Sequence, residues 1–228
     1  PDPPADARLA QLFERLFAAI DERRAELAAE GLPIPTPSPW EGLCLTALTT
    51  VVHLCQAAHD ITVLPYAPLF LGGLLTMVDD AEPRVTQSAR LAITCLAHMP
   101  FSRACVTKVV DVCRARIEPA SSSWHVRTAV LGFLQILVFK CQFLLDGPAF
   151  ETVRHIVFDM MSNERPEVRQ LASQTVSGMV CLSARRDKLL RQFVDDACAT
   201  GEAALKDPLP PRHRAANGAD EAVVKEYG

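Results

Sequence analysis

Three segments in the second half of the chain repeat one pattern of apolar and polar positions. Each begins at a valine: Val85, Val126 and Val168, spaced 41 and 42 residues apart. Counted from each valine, apolar or small residues recur at +3, +4, +7, +8 and +11. The first segment supplies Ser88, Ala89, Ala92, Ile93 and Leu96. The second supplies Ala129, Val130, Phe133, Leu134 and Leu137, and the third Leu171, Ala172, Thr175, Val176 and Met179. At 3.6 residues per turn each set falls on one helix face. Another amphipathic segment precedes each one, over 70–78, 103–117 and 150–161. The unit is therefore helix, short turn, helix.

One such hairpin cannot bury both of its faces, so units of this kind must stack. A recurrence of 41–42 residues lies in the HEAT/armadillo range, and the pattern predicts an all-α fold, an α-α superhelix of stacked antiparallel hairpins. Ala89 and Ala172 are small enough to let paired helices approach closely, with Val130 larger at the same place. Asp79, Ser123 and Asn163 are candidate helix caps, and Pro83 and Pro166 suit a first helical turn, where the missing N–H costs nothing. Arg127 and Arg169 follow their valines. HEAT repeats commonly use an arginine there to bond acidic or carbonyl groups of the neighbouring repeat, so both are expected to be structural. Thr86 occupies the same position in the first unit and is expected to lack that bond.

The remaining chain is also helical in pattern. Residues 6–30 carry Leu9, Leu12, Phe13, Leu16, Phe17 and Ile20 as a stripe, with Asp6 as a cap. Four alternating prolines at 33–39 predict an extended link. Residues 40–59 place Leu43, Ala47, Val51, Leu54 and Ala58 on one face. Pro65 and Pro68 then open a helix with Phe70, Leu71, Leu74 and Leu75 inward. A last helix over 185–205 puts Leu189, Leu190, Phe193, Val194 and Cys198 inward, followed by a Pro-, Ala- and Gly-rich loop and a helix start at 222–226. The expected organisation is 1–78, N-terminal helices and link; 79–205, HEAT-like repeats; 206–228, loop and truncated helix. Lacking a starting Met, the chain reads as a piece of a longer protein.

Composition changes this picture little. Net charge is −4, without the basic surface of a nucleic-acid binder. No apolar run is long enough for a membrane span. The eight cysteines contain no C-x-x-C pair and mostly occupy apolar helical positions, which points to a reducing compartment. Phosphate-binding, zinc-hydrolase and nucleophile-elbow motifs are absent from the sequence. His53 and His59 lie on different faces, and Cys95 with His98 lacks an orienting third group. The expectation is a non-catalytic protein with no metal and no cofactor. Arg185, Arg186, Lys188 and Arg191 read as a solvated face, and the three residues Arg212, His213 and Arg214 are too few to establish a nuclear import signal.

One stretch resembles a known family. Residues 121–183 read SSSWHVRTAVLGFLQILVFKCQFLLDGPAFETVRHIVFDMMSNERPEVRQLASQTVSGMVCLS. The order Ser123, Trp124, Arg127, Leu134, Gln135, Val138, Phe139, then Glu167, Val168, Arg169, Ala172, Ser177, Gly178 is similar to the C-terminal region of the large HEAT-repeat, ATP-independent proteasome activators. The resemblance implies a solenoid that docks on the end of the proteasome core particle and opens its gate. It implies acetylated histones as substrates, in DNA repair and spermatogenesis, and a nuclear and cytoplasmic location. It also implies an acetyl-lysine-reading role for this region. The family's Asn-Phe pair tied to that role falls on Ser183 and Ala184. The family's gate-opening hydrophobic–Tyr–any-residue tail meets Glu226-Tyr227-Gly228, so Tyr227 reads as an interior residue and the fragment as lacking the tail. The alternative reading is a generic HEAT scaffold of transport or phosphatase type.

Overall fold

The computed structural model describes residues 5–30, 41–57, 63–118, 122–145, 147–182 and 186–206. The prolines of 33–39, His59, Ser183, Ala184, Arg185 and 207–228 lie outside the described residues, as do the features expected there. Among the described residues all regular structure is helical: α1 Ala5–Glu30, α2 Glu41–Ala57, α3 Ala67–Met77, α4 Pro83–Ala97, α5 Arg103–Ile117, α6 Trp124–Cys141, α7 Gly147–Met161, α8 Pro166–Leu182 and α9 Arg186–Lys206. A 3₁₀ turn, Leu64–Tyr66, precedes α3. Asp6, read as a cap, lies inside the first turn of α1.

Contacts divide the chain after Leu182. In the first unit each helix packs on the one two places away: α1 on α3, α3 on α5 and α5 on α7 in one row, α2 on α4, α4 on α6 and α6 on α8 in the other. Within hairpins, α3 packs on α4, α5 on α6 and α7 on α8. This is the stack of antiparallel hairpins that the 41–42-residue period requires.

The valines open their helices in the same register. Val85, Val126 and Val168 are each the third residue of α4, α6 and α8. Val85 and Val168 are buried and Val126 half-buried. The +4, +7 and +11 positions are buried in all three helices, from Ala89, Ala92 and Leu96 to Ala172, Thr175 and Met179. The +3 positions are half-buried in all three, which marks the edge of the packed face. Between the rows sit Phe70, Phe133, Leu134 and Leu137, all essentially inaccessible. Phe70 meets Phe13 edge-on with ring centroids 4.7 Å apart, a geometry that suits the aromatic quadrupole.

One expected face is rotated, that of α2, and the stripe of α1 departs at a single residue. In α2 the buried side chains are Cys44, Ala47, Leu48 and Val51, while Leu43 is exposed and Leu54 half-buried. The segment is apolar nearly all round, so its pattern alone left the inward direction open. In α1, Phe13, Phe17 and Ile20 are buried but Leu12 is 61% exposed. The unit after Leu182 is described by itself: in α9 Leu189 and Phe193 are buried, whereas Leu190, Val194 and Cys198, also expected inward, are exposed.

The turns before α4 and α8 are built alike. Asp80 Oδ1 accepts from the Glu82 N–H at 2.9 Å, and Asn163 Oδ1 from the Arg165 N–H at 3.0 Å. Both are side-chain turns that span two residues and set up the proline-led helix start. Asp79 makes no cap, because Glu82 holds the N-cap position of α4 and its side chain makes no cap bond. Ser123 does cap α6, its Oγ accepting from the Val126 N–H at 3.2 Å, and Ser102 caps α5 in the same way.

Candidate interaction surface

Along the α2–α4–α6–α8 row, side chains tie each helix to the one in the next hairpin. At the N-terminal edge Arg84 of α4 pairs with Glu41 of α2 at 2.7 Å. One hairpin on, Arg90 of α4 lies 3.0 Å from Nδ1 of His125 in α6. The His125 ring stacks on Trp124 at 3.7 Å, and Arg165, from the turn before α8, sits over the Trp124 ring at 5.8 Å. A cation over an aromatic face is attracted by its quadrupole. At the C-terminal edge Lys140 Nζ donates to the His98 carbonyl at 2.5 Å, and the Gln142 side-chain amide donates to the Leu182 carbonyl. These donors satisfy carbonyls that a helix C-terminus leaves open, and the Lys140 cation also suits the negative end of α4.

The residues expected to be structural take different roles. Arg169 Nη1 donates to the carbonyls of Asn163 and Glu164, at 2.9 and 2.8 Å. Its bonds thus close the turn of its own hairpin, not the neighbouring repeat. Thr86, expected to lack such a bond, makes an equivalent one with a shorter side chain: its hydroxyl donates to the Asp80 carbonyl at 3.1 Å. Arg127 is half-buried, and its Nε finds no hydrogen-bond partner.

Chemistry-bearing groups do not converge. Among the described residues no three of His, Cys, Asp or Glu gather as metal ligands, and no helix is long and apolar enough to cross a membrane. Cys95 is half-buried and His98 exposed, and no side-chain hydrogen bond between them occurs among the described residues. Burial pushes the Cys55 thiol up to about 11, with Cys95 adding to the shift. Cys105 is pushed up to about 11, again chiefly by burial, with Lys108 opposing and Cys141 adding. Burial raises Cys113 and Cys141 as well. A thiol held protonated is a poor nucleophile and packs as a small apolar group.

What the surface offers is relief and exposed apolar area. Phe139 and Phe143, one turn apart at the end of α6, are 52% and 87% exposed. The Phe139 ring lies against Gly178 of α8, where a β-carbon would meet it at 2.9 Å. A groove of about 230 Å³ runs between α4 and α6, lined by Arg90, Ile93, Gln135 and Ile136 among others. A larger one of about 500 Å³ separates α5 from α7. Neither Phe143 nor the grooves were legible in the sequence, because no period marks a side chain that leaves its helix face.

Fold and surface together define a helical-hairpin repeat protein. No family model matches the chain. It is similar to a segment of proteasome activator complex subunit 4. It is 35% identical over 105 residues, 45% of this chain, to the zebrafish subunit 4A, and 27% identical over 140 residues, 60% of this chain, to the human subunit 4. The Xenopus laevis subunit 4 is 33% identical over 98 residues, 42% of this chain. The aligned parts are 6%, 8% and 5% of those relatives, so the chain spans a small fraction of their length.

Proposed function

We propose that this chain is a non-catalytic HEAT-repeat segment of a proteasome activator, acting by binding. In this reading it forms part of a helical wall that docks on the end of the proteasome core particle and promotes degradation without ATP, with acetylated histones among the substrates, in nucleus and cytoplasm. The observation that carries the reading is the similarity to proteasome activator complex subunit 4 in zebrafish, human and Xenopus laevis proteins, beside this chain's own stack of repeated helix hairpins. A repeat stack supplies shape and contact area rather than reacting groups. The acetyl-lysine part of the reading falls on Ser183 and Ala184, neither of which offers the amide side chain of an Asn.

The test is a chimera. The helices of the human relative that align with α6, α7 and α8 are replaced by those of this chain, and peptide hydrolysis by purified core particle is measured without ATP. Stimulation retained within about threefold of the parent supports equivalent helices, since a 1 kcal/mol defect is about fivefold. A chimera that folds and sediments with its parent yet neither binds nor stimulates the core particle overturns the reading in favour of a generic scaffold.

A further inference from the structure

We propose that the groove between α4 and α6 binds a short extended segment of a partner polypeptide, with an acidic residue at each end and an aliphatic one between them. Its floor is apolar: Ile93 and Phe133 are buried and Ile136 half-buried. At Gly132 an added β-carbon would meet nothing within 4 Å, so the floor is open over the α6 backbone. The volume, about 230 Å³, is below the range of pockets that enclose a whole small molecule and suits a side chain of a larger partner. Gln135 lines the groove, half-buried, and its side-chain amide has no hydrogen-bond partner among the described residues. A carboxamide offers both a donor and an acceptor, the pair that a peptide backbone needs.

A cationic bridge from α4 to α6 stands at each end of the groove. At one end Arg90 lies 3.0 Å from Nδ1 of His125, and at the other Lys140 donates to the His98 carbonyl at 2.5 Å. His125 is one turn before Ala129 and Lys140 one turn after Ile136, so both bridges lie on the groove face of α6. No residue of α4 or α6 is Asp or Glu, and no carboxylate lines the groove. The acids of this row lie at its N-terminal edge. Glu41 pairs with Arg84, Glu167 is in the first turn of α8, and Asp79, Asp80, Glu82 and Glu164 precede α4 and α8. Among the described residues neither Arg90 nor Lys140 pairs with a carboxylate. Arg90 spends one donor on His125 and Lys140 one on His98, and each keeps others for an anion. The spacing selects the occupant. From Arg90 to His98, whose carbonyl holds Lys140, is about 12 Å along α4. Two acidic residues four apart on an extended chain are about 13 Å apart. The side chain midway between them points the same way, toward the apolar floor.

The experiment is a methyl and amide NMR titration of the whole chain with the blocked peptide acetyl-Glu-Ala-Leu-Ala-Glu-amide. Parallel titrations replace both glutamates by glutamine, both by lysine, or the leucine by alanine, and one uses a hexathymidylate single strand. The expected result is saturable shifts centred on Ile93, Gly132, Gln135 and Ile136, several-fold tighter for the parent peptide than for the glutamine or alanine forms, with the lysine form weaker still. Arg90→Gln and Lys140→Met each weaken it by about threefold, as for an exposed ion pair, and higher salt weakens it too. Both side chains are exposed, so these variants keep their fold, which their amide spectra check. Gly132→Leu fills the groove from a position with open space above it and weakens binding by about tenfold. Equal binding of the glutamine, lysine or alanine form overturns the proposal, as does unchanged binding to the Gly132→Leu variant. Shifts centred away from α4 and α6, and no saturable shift up to about 10 mM peptide, do the same. Tighter binding of hexathymidylate assigns the two cations to nucleic acid and also overturns it. None of these outcomes depends on the proteasome.

Discussion

Two glycines on helix faces look alike in the sequence and differ in what they permit. At Gly73 an added β-carbon would fall 2.5–2.6 Å from the ring of Phe17, which is buried between α1 and α3. Gly73→Ala must therefore displace a core ring, and we expect it to lower stability by about 1–3 kcal/mol in urea unfolding, despite a helix-propensity gain. At Gly178 the clash is with the far edge of Phe139, a half-exposed ring that can swing away. Gly178→Ala should be neutral or stabilise by up to about 1 kcal/mol. Destabilisation at Gly178 equal to that at Gly73 would show that Phe139 is held in place. Only contact with the ring separates the two sites, and no local pattern encodes it. The same holds for Thr86 and Arg169. Two unlike residues reach equivalent carbonyls, because the turns beneath them are built the same way by Asp80 and Asn163.

At the scale of the element, the starts of α4 and α6 differ in their caps. Ser123→Ala removes a bond to the Val126 N–H and should cost about 1 kcal/mol. Glu82→Ala removes a side chain that makes no cap bond and should change stability by less than about 0.5 kcal/mol. Thermal unfolding of the two variants against the parent checks both. Helix existence was legible wherever polar positions interrupted the apolar ones, as in α4, α5 and α7. Direction of burial was not legible in α2, where Leu43 and Cys44 compete for the core and tertiary packing buries Cys44. In α9, Leu190 and Val194 show the same limit: their spacing suits a buried face, yet each is more than 50% exposed.

For the whole molecule, the buried thiols make stability depend on pH at the alkaline end. Cys55 and Cys105 stand at about 11 in the folded chain against 9.0 for a free thiol, with Cys113 also raised. The folded state thus holds these protons more tightly than the unfolded one. Their contribution is complete below about pH 9 and is lost as pH rises toward 11. The melting temperature should fall across that window, and less steeply in Cys55→Ala/Cys105→Ala. An unchanged slope in the double variant would assign the loss to other groups. The core between the rows sets the overall scale: Phe133→Ala should cost about 3–5 kcal/mol by opening a cavity that neighbouring helices cannot close.

By itself the sequence determined the helix–turn–helix unit, its recurrence at Val85, Val126 and Val168, and the likeness of 121–183 to one family. Those properties depend on spacing along the chain, and spacing is set by helix geometry. Only the tertiary structure decided which side chains tie one hairpin to the next, which face of α2 is buried, and where α5 and α7 leave a groove. Each of these depends on groups about 40 residues apart meeting across a helix interface, and nothing local to either group records the meeting.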